Sequence, residues 1–358
     1  MIKNILANKK NKIKSKLLSH KTLYLFLYVF KNRNNVKFTD KIFYPEKFLR
    51  LLSYGTSNCD KNIYLIDISS EYMGFGAYFR WCIEALFEAD RLGFTPVVKF
   101  GKLCPYNEKE GFELGTNSFE YYFKRVSNIS LQEAYKSKNV FLFNQTDLIR
   151  VEKELGIYDE KSSVICGYSF DEKYIENMGE IAKKYISINE ITKDYIDKNI
   201  KELFKNKNEK ENKILAVHIR GTDFALNWDK HPNMVMPKDY FPIIDKAINK
   251  YKFNYIFLAT DDSNLLKLFK EKYRDNLLYF KDVNRSAGKL NVAYVQNDRK
   301  NNNYLNGLEV VRDIYTIAYC DGLVAGLSQV SISARIINRS LDKIFEFEKI
   351  INKGIYES

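Results

Sequence analysis

Three polar clusters in the second half of the chain each follow an apolar, β-rich run. The first is Val217-His-Ile-Arg-Gly-Thr-Asp223, preceded by Ile214-Leu-Ala. Open α/β sheets bind ligands beyond the carboxyl ends of their strands, so Arg220 is placed to offer a planar fork to phosphate oxygens. His218 can hydrogen-bond without carrying charge, and Thr222 and Asp223 can fix the loop. The competing reading is a structural ion pair for Arg220 and a core histidine at 218. The second cluster is Tyr255-Ile-Phe-Leu-Ala-Thr-Asp-Asp262, where a strand again delivers acids, Asp261 and Asp262. Asp262 is equally suited to cap the helix that follows. The third joins Asp313, inside an amphipathic stretch from Gly307, to Ser328 and Gln329, which end the run from Gly322. A carboxylate at 313 can accept both the N1–H and the 2-amino group of guanine. Ser328 stands where a strand turns into a helix, a position that cradles phosphate or simply caps the helix. Gly74 and Gly76, in Gly74-Phe-Gly76, mark a tight strand–helix turn, without the third glycine of a dinucleotide fingerprint.

Other chemistries leave no trace. The sequence has no D-x-D triplet and no carboxylate–histidine cluster at metal-ligand spacing. It has no Walker lysine, no G-x-S-x-G elbow and no kinase signature. The five cysteines, Cys59, Cys82, Cys104, Cys166 and Cys320, are odd in number and contain no C-x-x-C pair, which fits small buried thiols in a reducing compartment. The net charge of +12 suggests nucleic acid until it is mapped. Ten Lys and Arg lie in residues 1–40 against one acid, Asp40, so the remaining chain is close to neutral and no nucleic-acid partner is expected.

The elements that must position these clusters alternate along the chain. Ile63–Ile68, Thr95–Phe100, Asn139–Phe143 and Ser163–Cys166 read as strands, with a helix at Ala77–Arg91 and a long polar helix from Asp171 to about Lys205. The polar run 205–213 is the linker candidate. The pattern then restarts with strands Ile214–Ile219, Asn254–Ala259, Asn276–Phe280 and Gly322–Ala325. Helices alternate with them at Pro237–Lys250, Ser263–Lys272, Gly307–Tyr319 and from Ser328. This is an α/β chain with two Rossmann-like lobes. The expected division is a basic arm and lead-in at 1–58, a first lobe at 59–205, a second lobe at 206–345 and a tail at 346–358. Within the arm, the nine-residue apolar run Thr22–Phe30 is too short to span a bilayer. Residues 1–35 read either as an interfacial membrane-contacting segment or as a solvated arm packed on the body.

Taken together, HIRGTD (218–223), YIFLATDD (255–262), SAG (286–288), RDI (312–314) and SQV (328–330) resemble the α1,6-fucosyltransferase superfamily in order and spacing. GFGAYFRW (74–81) and NSFEYYF (117–123) extend the resemblance more thinly into the first half. It implies two facing Rossmann-like lobes of GT-B type, a GDP-activated sugar donor, inversion at the anomeric carbon, and no required metal or other cofactor. It further implies that His218 and Asp313 hold guanine and that Arg220 and Ser328, with Gln329 beside them, hold the pyrophosphate. Asp261 and Asp262 would lie near the donor, and Gly74 and Gly76 on its first-lobe side. The lysine and catalytic glutamate of the core fucosyltransferases are replaced by Phe224 and Trp228, so neither role transfers. Asp229, or else Asp223, is the candidate base.

The function expected is a metal-independent inverting glycosyltransferase moving a sugar, L-fucose first, from a GDP-sugar to a surface glycan or lipid-linked acceptor. GDP-mannose or GDP-heptose as donor, or a catalytically silent nucleotide-binding module, are the alternatives. Lys, Asn and Ile richness and the lack of a stem or anchor suggest a bacterial cytoplasmic protein at the inner face of the plasma membrane.

Overall fold

The structure, a computed structural model, describes residues 50–71, 73–143, 172–205, 212–221, 231–287 and 299–356. The expected strand Ser163–Cys166, the arm, most of the linker and the loop carrying Asp223 and Asp229 lie outside these residues. The chain divides after Arg50 rather than at residue 58, and residues 51–358 form one compact unit that contains both expected lobes. Residues 51–58 belong to that unit because Tyr54 and Gly55 donate backbone hydrogen bonds to the Ser137 carbonyl and Ser57 donates to that of Lys136.

The first sheet holds strands Arg50–Leu52 (β1), Ile63–Ile68 (β2), Thr95–Phe100 (β3) and Val140–Phe143 (β4), in the order β1-β4-β2-β3. β2 pairs parallel with both β3 and β4. The second sheet holds Ile214–Ile219 (β5), Tyr255–Thr260 (β6), Leu277–Leu278 (β7), Gly322–Gly326 (β8) and Phe347–Ile351 (β9), in the order β7-β6-β5-β8-β9. All its pairings are parallel. Strands covered on both faces read as unbroken apolar runs, which is why IYLIDI and ILAVHI are legible as strands. β9 corrects the expected tail: residues 347–351 complete the sheet beside β8.

The helices are Phe75–Arg91 (α1), Leu131–Ala134 (α2), Glu172–Tyr185 (α3), Glu190–Phe204 (α4), Pro237–Tyr251 (α5), Ser263–Tyr273 (α6), Asn302–Tyr319 (α7) and Gln329–Ser340 (α8). The long helix expected from Asp171 to Lys205 is two helices. Asn189 starts the second one, its side chain accepting from the Thr192 N–H. α7 begins five residues before the expected Gly307.

Alternate residues of β5 divide the space around it. Leu215, Val217 and Ile219 pack with Tyr240 and Ile244 of α5 and Leu265 and Phe269 of α6 in one apolar core. The other side chains, His218 among them, take the opposite face, toward α7 and α8. Helices from both halves meet in a seam: α1, α3 and α8 pack on one another and α4 packs on α7. Rings line it. Tyr122 stacks on Tyr304 with centroids 5.7 Å apart, and its hydroxyl donates to the Tyr304 carbonyl at 3.0 Å. Gly307, one turn further along α7, faces that hydroxyl so closely that a Cβ would stand 2.1 Å from its oxygen.

Among the described residues no helix is long and apolar enough to cross a membrane, and no group of three or more metal-ligating side chains occurs.

Candidate functional site

The order of the second sheet locates its binding edge. From β5 the chain proceeds to β6 and β7 on one side, whereas β8 proceeds to β9 on the other. The carboxyl ends of β5 and β8 therefore flank a topological switch point, the usual ligand position of such sheets. His218 stands there between Ala259 and Ala325 on the neighbouring strands. Two small neighbours leave room for an imidazole between them.

The His218 Nδ1 lies 3.3 Å from the Ser328 hydroxyl, which bridges the ends of β5 and β8. Burial pushes the His218 pKa down to about 4, against the attraction of the Asp261 carboxylate and with the repulsion of Arg220 adding to it. The ring is neutral at pH 7 and offers one donor and one acceptor. The Tyr240 hydroxyl donates to the His218 carbonyl at 3.3 Å, bracing the strand end from the α5 side. Ser328 also caps α8, accepting from the Ser331 N–H at 3.2 Å. Capping and the histidine contact thus coexist.

Arg220 leaves the end of β5 and pairs with Asp261 at the end of β6, Nη1 to Oδ2 3.0 Å. The other Asp261 oxygen accepts from the Gly221 N–H at 2.9 Å. One carboxylate therefore orients both the guanidinium and the loop that follows it. The pair is only partly withdrawn from solvent, with side chains 24% and 14% exposed. Asp262 serves the fold, capping α6 by accepting from the Asn264 and Leu265 N–H groups at 2.7 and 3.3 Å.

Asp313 joins this edge through a residue the sequence did not single out. Arg285 donates Nε to the Thr260 carbonyl (3.1 Å), Nη2 to that of Phe280 (2.9 Å) and Nη1 to that of Val283 (3.4 Å). It ties the ends of β6 and β7 together and presents its charge to Asp313. Even so, burial pushes the Asp313 carboxyl up to about 7, with Arg312 and Arg285 opposing it and Glu309 and Asp282 reinforcing it. Arg312, the first residue of RDI, is fully buried and structural. It forks onto Asp282 (2.8 and 2.9 Å), donates to Asn199 of α4 (2.6 Å) and lies 3.8 Å over the Phe280 ring.

Gly74 and Gly76 stand where α1 begins. Gly76 presses on the first turn of α8, where a Cβ would come within 2.8 Å of the Val330 nitrogen. Gln329 turns toward α1, its Oε1 accepting from Arg80 Nε at 2.8 Å. The structure thus brings His218, Arg220, Asp261 and Ser328 together, while Asp313 makes no direct contact with this group and is within electrostatic reach of Arg285 alone among the residues that tie down the β6 end. It directs Gln329 into the seam. The candidate bases Asp223 and Asp229 lie outside the described residues.

No protein-family model matches the chain, and no curated protein matches it. Solved structures do resemble it. NodZ α1,6-fucosyltransferase soaked with GDP-fucose is 18% identical over 77% of this chain and 93% of its own, with a TM-score of 0.47. Fucosyltransferase NodZ from Bradyrhizobium is 16% identical over 77% and 92%, TM-score 0.46. POFUT1 in complex with GDP is 13% identical over 82% and 99%, TM-score 0.43. Likeness at these values assigns no residue a role. The chemistry rests on the geometry above.

Proposed function

We propose that the chain is a GDP-sugar-dependent, inverting glycosyltransferase, with GDP-L-fucose the first donor to test. The observation that carries the proposal is the convergence of a cationic fork, a neutral histidine and a helix-capping serine at one switch point, with a desolvated carboxylate at its side. Such a set suits a nucleoside diphosphate. Arg220 and the first turn of α8 meet its phosphates, and Asp313 accepts the two guanine donors.

The reaction follows from the charges. The bond between the anomeric carbon and the β-phosphate oxygen breaks, its electron pair leaving with GDP while the sugar gains oxocarbenium character. The acceptor hydroxyl oxygen bonds the anomeric carbon from the opposite face, and its proton passes to a carboxylate, Asp229 or Asp223. Arg220, held ready by Asp261, stabilises the charge that grows on the β-phosphate. With the phosphates held by a guanidinium and backbone N–H groups, the reading needs no metal. The acceptor class that fits it is a surface glycan or lipid-linked sugar, with residues 1–35 contacting the inner face of the plasma membrane.

Thermal shift with GDP, UDP and dTDP is the deciding measurement. Stabilisation by GDP is expected, and stabilisation by UDP alone would overturn the proposal. Turnover of GDP-fucose against GDP-mannose and GDP-heptose then fixes the sugar, and binding without turnover of any of them would indicate a silent nucleotide-binding module.

A further inference from the structure

Behind the switch point, in the seam between the two sheets' helices, lies an ion pair with no access to water. Arg80 and Glu84, one turn apart on α1, are both fully buried, and Arg80 Nη1 stands 2.5 Å from Glu84 Oε1. That oxygen also accepts from the Tyr174 hydroxyl of α3 at 2.7 Å. The same guanidinium donates Nε to Gln329 of α8. One planar side chain from the first half of the chain thus touches the residue next to Ser328.

Stability does not explain this arrangement. Withdrawing two charges from water costs more than an apolar pair of similar volume would. The second Glu84 oxygen, Oε2, is buried with no hydrogen-bond partner among the described residues, a cost that packing alone would avoid. What the pair does supply is direction. A guanidinium fork fixes two donor vectors at once: here one is anchored by Glu84 and the other reaches Gln329. Gln329 is the first residue of α8, so holding its side chain sets where the Ser328 turn lies relative to His218.

We infer that Arg80, anchored by Glu84, is a positioning residue for the diphosphate end of the donor: it sets the first turn of α8 through Gln329 without touching the ligand. The inference rests on the functional reading above for what that turn binds. Its test therefore includes a measurement on the ligand-free protein.

The Arg80→Met/Glu84→Leu double variant replaces the pair with apolar side chains. In the free protein, hydrogen exchange at the Ser331 and Ile332 amides, which bond to Ser328, should rise about tenfold, with exchange in β5 unchanged. The dissociation constant for GDP should rise by about the same factor. Gln329→Leu alone should reproduce both effects, and the triple variant should be no worse than either. Unchanged exchange at those amides, retained GDP affinity, or additive losses in the triple variant would each overturn the inference. Should the double variant not fold, Gln329→Leu leaves the pair in place and reads the same turn. If the wild-type chain binds no GDP, the functional reading fails, and the exchange measurement still decides the role of Arg80.

Discussion

Arg220 is the residue on which the proposed chemistry turns. Its charge is partly exposed and oriented by Asp261, so Arg220→Ala should lower kcat by two to three orders of magnitude, the effect of removing one preorganised donor, about 3–4 kcal/mol. Steady-state donor turnover checks this. Asp313 gives a pH signature. In the proposed guanine contact its carboxyl must be ionised, yet burial pushes its pKa up to about 7. GDP affinity should therefore fall as pH drops below 7, approaching about tenfold per pH unit, and Asp313→Asn should bind GDP weakly at every pH. Stability runs the other way. Because the folded-state pKa lies above the ordinary aspartate value, the folded form holds its proton between about pH 4 and 7 while the unfolded chain has lost it. Stability is fully present below about 4 and declines as pH rises through 7. Ligand-free Asp313→Asn should thus melt higher than wild type at pH 8 and no higher at pH 4, which calorimetry at the two pH values resolves.

At the level of elements, much was legible. The β5 boundaries read from ILAVHI are those observed, and the ends of β6 and β8 fall within a residue of expectation. These strands are covered on both faces, and their pattern needs no tertiary knowledge. Asp262 as helix cap was open in the sequence and is settled by two N–H bonds. The misses have a common cause. α7 starts in the run Asn302-Asn-Tyr, which by composition favours turns. It is helical because Asn303 donates to the Asn107 carbonyl, the Tyr304 N–H meets Glu108, and Tyr304 stacks on Tyr122. The break at 186–189 lacks proline and glycine and depends on an asparagine cap. β9 is short and partly polar, visible only once β8 is beside it. The sequence assigns no role to Arg80, inside the GFGAYFRW stretch, or to Arg285, since nothing local says that one will be enclosed by three helices and the other will be fixed by three carbonyls. Two glycines separate packing from binding. Gly307→Ala drives a methyl into an immobile tyrosine and should cost about 1–3 kcal/mol, seen as a lower Tm. Gly74→Ala meets nothing within 4 Å and has an ordinary φ, so Tm should hold. Any loss of GDP affinity there then reports contact with the donor.

For the molecule as a whole, the seam argues that the two sheets behave as one cooperative body. Arg312 and Asn199, Tyr122 and Tyr304, and Arg80 and Gln329 all cross it. Calorimetry of the chain should therefore give one transition for residues 51–358 rather than two, and two resolved peaks would show that the halves melt separately. The charge map makes a separate prediction. The excess of cations lies in residues 1–40, so deleting 1–35 should reduce binding to anionic vesicles and leave turnover on a soluble acceptor intact. Vesicle co-sedimentation beside a turnover assay measures both.

The fit of Gly76 and Gly307 against partners from across the seam also limits how such a protein can be recombined. Each is a socket cut for one neighbour: the backbone of Gln329 and Val330 in the first case, the phenol of Tyr122 in the second. A chimera whose first half carried alanine at 76, or whose second half carried alanine at 307, would set two well-formed halves a methyl group out of register. New specificities in this architecture are more readily reached by editing the loops at the strand ends than by shuffling halves.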